Sequence, residues 1–422
     1  MDKRTAPRGT FDILPTDSNR WLALERAVDE LCARFGYGEI RTPIFESTDV
    51  FVRTIGEGTD IVDKEMYTFT DRGGRSMTLR PEFTAPTARA ALEHNLLQNL
   101  PLKVYYRGPI FRYERPQKGR YRQSHQWGAE CFGVAGPQAD AEIIALGMEL
   151  IRRETLADVE LGINSMGCDV CRPAYREAVV AHLKDNATTL SENSRERLSR
   201  NPLRVLDSKD PSDRAVIATA PRVDSYLCDA CREHFTAVRA LLASMGITPT
   251  VDPKIVRGLD YYTRTVFEMS AGGLGTQNAL CGGGRYDGLI AAMGGPATPA
   301  VGLAMGMERL LMAAGPRRAE SLNGRPRTEV AFVALDEPSA RSLVPILHAF
   351  RRAGISADMD YTLRKVDKQI RAAGQQGARV AVILGNDELA RGEATVQDLT
   401  TRERQRVKLI ELEHDVKERL AR

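Results

Sequence analysis

The chain has 422 residues, 42% of them apolar, and its Lys+Arg 59 against Asp+Glu 56 leave a net charge of only +3. That length predicts about three domains, and that apolar content is ample for buried cores, which excludes a disordered tail. A charge this nearly balanced does not demand a nucleic-acid partner, so any RNA surface has to arise from local clustering.

No apolar run reaches the roughly 18 residues of a membrane-spanning helix, and the opening MDKRTAPRGTFDILP has basic residues with no apolar stretch behind them. A chain that neither spans a membrane nor carries an ordinary secretion signal is expected. Seven cysteines, an odd number scattered widely, differ from the dense even set of a secreted disulfide scaffold and suit a reducing, cytoplasmic compartment.

Residues 19–35 place Leu22, Leu24, Ala27, Val28, Leu31 and Phe35 at helical spacing, and Gly36 and Gly38 stop that helix. GEIRTPIFE reads as a short strand. Pro43 inside it lacks a backbone donor, which confines the strand to an edge or a bulge, and an edge beside a long helix suits a dimer seam. Residues 102–114 and 124–134 read as an antiparallel pair around the basic turn Gln117-Lys118-Gly119-Arg120-Tyr121-Arg122. Alternation puts Arg112 and Glu114 on one face of the first strand. It puts Gln126, Gly128 and Glu130 on one face of the second, opposite Trp127 and Cys131.

Residues 138–155 and about 172–245 are helical in pattern, the latter within an insertion spanning 165–245 that has polar breaks at 186–193 and 206–213. Arg257 to Glu268, a Gly-rich segment to Gly288, and the small-residue strand and helix of AVGLAMGMERLLMAA come next. Residues 315–327 form the best linker. Beyond it the strands TEVAFVAL, ISADMDY and ARVAVILG alternate with helices over 338–354 and 362–377, a separate βαβ domain, so the expected division is 1–325 and 326–422.

Neither a G-x-x-x-x-G-K-[ST] loop nor a G-x-G-x-x-G fingerprint is present, so the phosphates of any bound nucleotide fall to arginines, with Arg112, Arg257 and Arg309 as candidates. GEIRTPIFE resembles the first motif of the class II aminoacyl-tRNA synthetases, YYRGPIFRYERPQKGRYRQSHQWGAECFG the second, and AVGLAMGMERLLM the third. RGLDYYTRTVFE and CGGGRYDGL resemble signatures of the histidyl-tRNA synthetases within that class, and the resemblance spans nearly the whole chain. It implies an α+β fold: the class II antiparallel sheet flanked by helices, with a helical insertion and a C-terminal α/β anticodon-binding domain. It also implies a cytoplasmic homodimer that activates L-histidine with ATP and Mg2+ and transfers it to the 3′ end of tRNA(His).

The chemistry explains the residue types. A carboxyl group of pKa about 3.5 is already ionised at neutral pH, so its attack on the α-phosphorus of ATP needs positioning and positive charge rather than a base. The resemblance assigns catalysis to Arg257 and Arg112. Arg112 with Glu114 and Arg309 would bind ATP, and Arg257 would contact both the substrate carboxylate and the α-phosphate. Glu82, Phe83 and Thr84 of LRPEFTAP, with Gln126, are expected around the α-ammonium, Phe83 by its backbone alone. Glu130 and Tyr262 are expected on the imidazole, with Tyr261 and Tyr286 lining the pocket. Gln117, Lys118, Arg120 and Arg122 at the hairpin tip should meet the tRNA acceptor end. In 362–379 five basic residues stand against Asp367, a local net of +4 that suits an anticodon-stem surface.

Cys168 and Cys171, with Cys228 and Cys231, form two C-x-x-C pairs inside the insertion, and two readings stand: a structural zinc site or four reduced thiols. Ser194 and Ser208, where relatives can carry further cysteines, suggest a simplified site. His94 and His125 read as isolated and structural. Taken alone, Arg112 beside Glu114 is an ordinary surface pair, Gly282–Gly284 a flexible turn, and the basic run after Thr362 a solvated face. In their motifs the glycines instead permit close backbone approach to a ligand. Two rival functions are a regulatory paralogue that senses histidine and activates ATP phosphoribosyltransferase, and a non-enzymatic nucleic-acid module. The first is expected to lack the C-terminal domain, and the second leaves Glu82, Gln126 and Glu130 without a role.

Overall fold

The computed structural model describes residues 4–56, 59–117, 119–155, 158–208, 210–255, 261–271, 279–314 and 328–421. The first helix runs Pro15–Arg34, with Pro15 in its opening turn, where the missing N–H has no partner to lose. It buries Trp21, Leu24, Ala27, Val28, Leu31 and Cys32. Leu22, expected on that stripe, is instead 47% exposed, because one position is about 100° of helical rotation and Trp21 takes the inward place.

GEIRTPIFE is not one strand but two. β1 (Gly38–Glu39) and β2 (Phe45–Ser47) belong to different sheets. Between them the donor-less Pro43 interrupts pairing, and its carbonyl and that of Thr42 accept hydrogen bonds from Arg80 Nη1 at 3.2 and 2.9 Å. β2 joins β3 (Tyr67–Thr70) and β4 (Ser76–Leu79) in a three-stranded sheet, order β2-β4-β3.

The large sheet is built from β1, β5 (Leu102–Phe111), β6 (Gln123–Phe132), β7 (Val159–Ser165), β8 (Thr250–Val251), β9 (Thr263–Ala271), β10 (Ala279–Arg285) and β11 (Ala300–Gly306). Its order is β1-β5-β6-β11-β10-β9-β7-β8, antiparallel throughout except for the parallel edge pairs β1·β5 and β7·β8. β5 ends at Phe111, so Arg112 and Glu114 lie past the strand on which alternation places them. Arg112 N still donates to Arg122 O at 3.0 Å and extends the hairpin by one pair.

Alternation then divides the sheet. Trp127, Ala129 and Cys131 of β6, Val301, Leu303 and Met305 of β11, and Phe267 and Met269 of β9 share one apolar core with the helices Pro15–Arg34, Pro137–Glu154 and Asp229–Ser244. The opposite face presents Gln126, Gly128 and Glu130. The Gly282–Gly284 run is interior to β10 and not a turn. Two of its glycines answer to sheet packing, since a Cβ on Gly283 would meet Gly302 O at 2.2 Å and one on Gly284 would meet Thr265 O at 2.6 Å.

The described residues divide into two compact units, 1–322 and 323–422, where length alone suggests about three. The insertion forms no third unit because its core is shared: Tyr175, Val179, Leu183 and Val205 pack in one cluster with Phe132, Val266 and Tyr286 of the sheet region. The second unit is a five-stranded sheet, order β13-β12-β14-β15-β16, made of β12 (Val330–Ala334), β13 (Ala357–Met359), β14 (Val380–Leu384), β15 (Glu393–Asp398) and β16 (Arg404–Lys408). The parallel strands β12 and β14 are buried along their whole length, as strands covered on both faces must be. Its last two strands are antiparallel and lie beyond the βαβ pattern. The expected linker at 315–327 lies outside the described residues, and no helix among those described is long and apolar enough to cross a membrane.

β10 ends on Arg285, whose side chain is fully buried. It donates to Val134 O at 2.8 Å, Gly136 O at 3.1 Å, Asp287 Oδ1 at 3.2 Å and both oxygens of buried Asp140, which also faces His234 Nε2 at 3.3 Å. Removing one partner of such a pair strands the other charge. Arg285→Ala should therefore cost about 3–5 kcal/mol, read from the denaturant midpoint, while an Arg285→Met/Asp140→Leu double variant recovers part of that loss.

Candidate active site

The bare face of the large sheet is floored by small residues. In the register Gly302 lies opposite Glu130, Ala304 opposite Gly128, and Gly282 opposite Ala304. A Cβ on Gly302 would stand 1.6 Å from Glu130 Oε2, so only glycine leaves room for that carboxylate. Over this floor lie two overlapping cavities, of about 370 Å³ and about 520 Å³, that share Arg112, Glu114, Arg120, Gln126, Gly282 and Ala304.

The first cavity holds the acceptors. Glu130 is 1% exposed and takes hydroxyl donors from Thr84 at 2.7 Å, Tyr106 at 2.8 Å and Tyr286. Burial pushes its carboxyl up to about 7, against the opposing pull of these three hydrogen bonds, and nearby Glu82 adds to the rise. Glu82 accepts from the backbone N–H of Thr84 at 2.6 Å and of Ala85 at 2.8 Å, at the start of the helix Thr84–Glu93; burial raises its carboxyl as well. Gln126 Oε1 is buried with no hydrogen-bond partner among the described residues. Tyr261, Tyr262 and Tyr286 complete the wall, with Tyr261 packed against both of the others. Phe83 is absent from that wall: its ring stacks on Tyr106 at 4.5 Å beneath the Arg80 guanidinium.

The second cavity adds Arg309 and Lys254 to the shared Arg112 and Arg120, beside Glu114, Asp252, Glu268 and Glu308. Arg112 donates from Nε to Pro81 O at 2.8 Å and keeps Nη1 4.0 Å from Glu114. Arg309 donates to Gly119 O at 3.1 Å and Ala279 O at 2.7 Å. Burial, and then the like charge of Arg120, disfavour its protonated form, against the opposing pull of Glu114 and Glu268. Arg120, expected at the hairpin tip, turns inward and pairs with Glu114 at 3.3 Å. Arg122 lies over the Tyr113 ring at 4.0 Å. Gln117 and Arg120 close the tip with reciprocal backbone hydrogen bonds at 3.2 and 2.9 Å. Lys118 and Arg257 lie outside the described residues.

Several cleft residues carry no sequence signal. Asp60, Glu65 and Arg204 line the first cavity. Arg204 comes from the insertion and pairs with Asp60 at 3.4 Å. Only Tyr106, with its hydroxyl over Gly128, is within reach of strand alternation. His125, read as isolated, is not: its Nδ1 stands 2.9 Å from Glu308, which also accepts from the His125 backbone N–H. His94 ends the helix Thr84–Glu93 as its exposed cap.

The four sulfurs of Cys168, Cys171, Cys228 and Cys231 lie within 4.8 Å of one another. Ser194 and Ser208 are not among the groups of that cluster. They donate to Asp213 Oδ2 at 2.6 and 2.5 Å, joined by Ser191 at 2.9 Å, around a carboxylate that closes a different loop of the insertion. In the second unit Arg364, Lys365, Lys368, Arg371 and Arg379 are all exposed.

A site with buried acceptors at one end and gathered guanidiniums at the other suits a small cationic molecule joined to a polyanion. A family model described as Histidyl-tRNA synthetase matches residues 9–310, and one described as Anticodon binding domain matches 337–419. The chain is 48% identical over 407 residues to a histidine–tRNA ligase of Desulforudis audaxviator, covering 96% of each. It is 47% identical over 406 residues to one of Pelotomaculum thermopropionicum, covering 96% of this chain and 95% of that relative. It is similar in three dimensions to apo histidyl-tRNA synthetase of S. aureus, with a TM-score of 0.82, 37% identity, and coverage of 98% of this chain and 100% of the other.

Because a donated hydrogen bond favours the ionised carboxylate, Tyr286→Phe should raise the Glu130 carboxyl further above about 7. Titration of glutamate-labelled protein by carbon NMR reads this directly; a downward shift would contradict the hydrogen-bond account.

Proposed function

The chain belongs to the histidyl-tRNA synthetase family, and from that premise we propose how its cleft divides the work of a histidine–tRNA ligase. The reaction joins L-histidine to AMP with loss of pyrophosphate from ATP, then passes the histidyl group to the 3′ end of tRNA(His). One observation carries the division of labour: a continuous cleft with buried carboxylates at one end and arginines at the other.

Histidine occupies the acceptor end. Glu82, Thr84 and Gln126 meet its α-ammonium, where the unpartnered Gln126 Oε1 is a ready acceptor, and Phe83 contributes through its backbone. Glu130 and Tyr262 meet the imidazole between Tyr261 and Tyr286. A carboxylate has about four acceptor positions, and three hydroxyls on Glu130 leave one for an N–H. The selectivity of such a pocket comes from its buried polar groups, which any analogue lacking the matching donors leaves unpaired.

ATP lies over the arginines. Arg112, with Glu114 beside it, holds the α-phosphate, and Arg309 and the inward-turned Arg120 take the distal phosphates. Arg257 reaches both the substrate carboxylate and the α-phosphate. The carboxylate oxygen attacks the α-phosphorus, pyrophosphate leaves, and the arginines stabilise charge growing on the phosphoryl oxygens. Glu114 and Glu268, which line the arginine end of the cleft, would hold Mg2+, which would supply positive charge against the triphosphate.

In the transfer step a terminal ribose hydroxyl of the tRNA attacks the adenylate carbonyl and AMP leaves. Gln117, Lys118, Arg120 and Arg122 of the hairpin guide the acceptor end, and the exposed basic run of 362–379 binds the anticodon stem. Exposed Ile44, Phe45 and Phe69, flanking the Pro43 edge, support a homodimer seam. The four insertion thiols hold a structural zinc ion. A histidine sensor alone would need neither the triphosphate arginines nor the C-terminal unit.

Histidine-dependent exchange of labelled pyrophosphate into ATP tests the adenylate step. Arg112→Ala and Arg257→Ala should each lower kcat/KM by roughly 10²–10³-fold. A folded protein with no exchange would leave the sensor reading in front. Protonation removes the charge of Glu130 and turns one of its acceptor oxygens into a donor, so KM for histidine should rise as pH falls through about 7, a step that Glu130→Gln removes. Glu substitutions at Arg364, Lys368 and Arg371 should weaken tRNA binding and flatten its salt dependence while leaving pyrophosphate exchange unchanged.

A further inference from the structure

The two C-x-x-C segments are near copies, CDVCR at 168–172 and CDACR at 228–232, and they fold alike. In each, the first cysteine's carbonyl accepts from the backbone N–H groups three and four residues on, at 3.1 and 2.9 Å in the first and 3.0 Å twice in the second. Each loop therefore turns both thiols to one side at the start of a helix, Arg172–Asp185 or Asp229–Ser244. Gly167 completes the first loop at φ +67, where a Cβ would lie 2.7 Å from Cys171 Sγ. The sulfurs Cys168···Cys171, Cys168···Cys228 and Cys171···Cys231 are each 3.8 Å apart. A tetrahedral ion bonded at about 2.3 Å to four sulfurs requires edges of about 3.8 Å. No disulfide forms among them.

The arginines that close the two loops point in different directions. Arg232 turns back onto its own loop, donating to Leu227 O at 2.8 Å. Arg172 reaches away and donates to the backbone carbonyl of Tyr262. Two more bonds tie the same segments: Arg264 N to Gly167 O at 2.8 Å and Met166 N to Arg264 O at 2.6 Å. The start of β9, immediately after Tyr261 and Tyr262, is thus pinned to the backbone of the first cysteine loop.

We infer that a zinc ion bound by Cys168, Cys171, Cys228 and Cys231 positions the histidine pocket, with Arg172 as the positioning residue that carries the order of the metal knot to Tyr262. This rests on the proposed structural zinc and adds a consequence for substrate affinity. Four thiolates on one divalent ion leave a net negative knot, which Arg172 and Arg232 flank with positive charge. Without the ion, the two loops keep the packing of Tyr175 on Tyr226 but lose the four metal bonds that would lock them, and the Tyr261–Tyr262 wall is held less firmly. ATP, held chiefly by Arg112 and Arg309 on other elements, is affected far less.

The test uses the full chain, purified without chelator. Elemental analysis should find one zinc per chain, released by an organomercurial that titrates thiols. Less than about a tenth of an equivalent, with no uptake on adding zinc, would overturn the metal assignment and the inference with it. Calorimetry with histidine and with ATP then tests the coupling. Arg172→Ala should keep its zinc, weaken histidine binding about tenfold, and leave ATP affinity within about twofold, with Arg172→Lys intermediate. Unchanged histidine affinity in zinc-replete Arg172→Ala would overturn the coupling while the zinc assignment stands. Equal losses for both ligands would overturn it too, marking Arg172 as merely structural.

Discussion

A carboxylate buried in the middle of a sheet is costly, and this protein is arranged around one. Glu130 keeps its place because three hydroxyls from three separate parts of the chain converge on it: Thr84 from a helix start, Tyr106 from β5 and Tyr286 from the segment after β10. Each of these has to arrive from its own element, so the pocket assembles only when the sheet, the helix and the turn are all in register. Arg285, one residue before Tyr286, is locked by Asp140 and two backbone carbonyls on the helical side, so the buried cation on one face fixes the phenol on the other. Two expensive polar centres stabilise each other's geometry, which is the use for which buried charge is best suited.

The same sheet separates bulk from chemistry. One face is filled by Trp127, Phe267, Met269 and Leu303 under three helices, and the other is stripped to glycine and alanine. Above that floor the electrostatics run from carboxylates to guanidiniums, so a zwitterionic amino acid and a triphosphate can lie end to end with complementary charge. Alignment of two reactants on a rigid strand floor supplies much of what the first step needs, since the nucleophile is already ionised.

How much is legible in the sequence depends on what each signal measures. Period-2 alternation correctly sets Gln126 and Glu130 against Trp127 and Cys131, because a strand has only two faces. It fails just past Phe111, where the chain leaves the sheet and Arg112 and Glu114 are placed by tertiary hydrogen bonds. Pro43 reads as an edge signal, but its stronger effect is to split one expected strand between two sheets. Leu22 and Trp21 are exchanged because helical spacing defines a stripe only to within a residue. The glycines of β10 look like a turn because their constraint is the neighbouring strand, which no local pattern contains. Ser194 and Ser208 point elsewhere because their shared partner Asp213, five residues from one and nineteen from the other, is set by the folded loop rather than by any motif. Asp60, Glu65 and Arg204 enter the cleft from segments without any motif.

The floor of the cleft also bears on how this protein can change over generations. At Gly302 and Gly128 the space is defined by hydrogens, and every alternative amino acid adds atoms where a carboxylate or a phenol already stands. Sequence space at these positions is therefore one-sided: no substitution enlarges the pocket, and all of them fill it. Any descendant that acquired a different amino-acid preference would have to rebuild the walls, at Gln126, Tyr261 and Tyr262, while inheriting the floor intact.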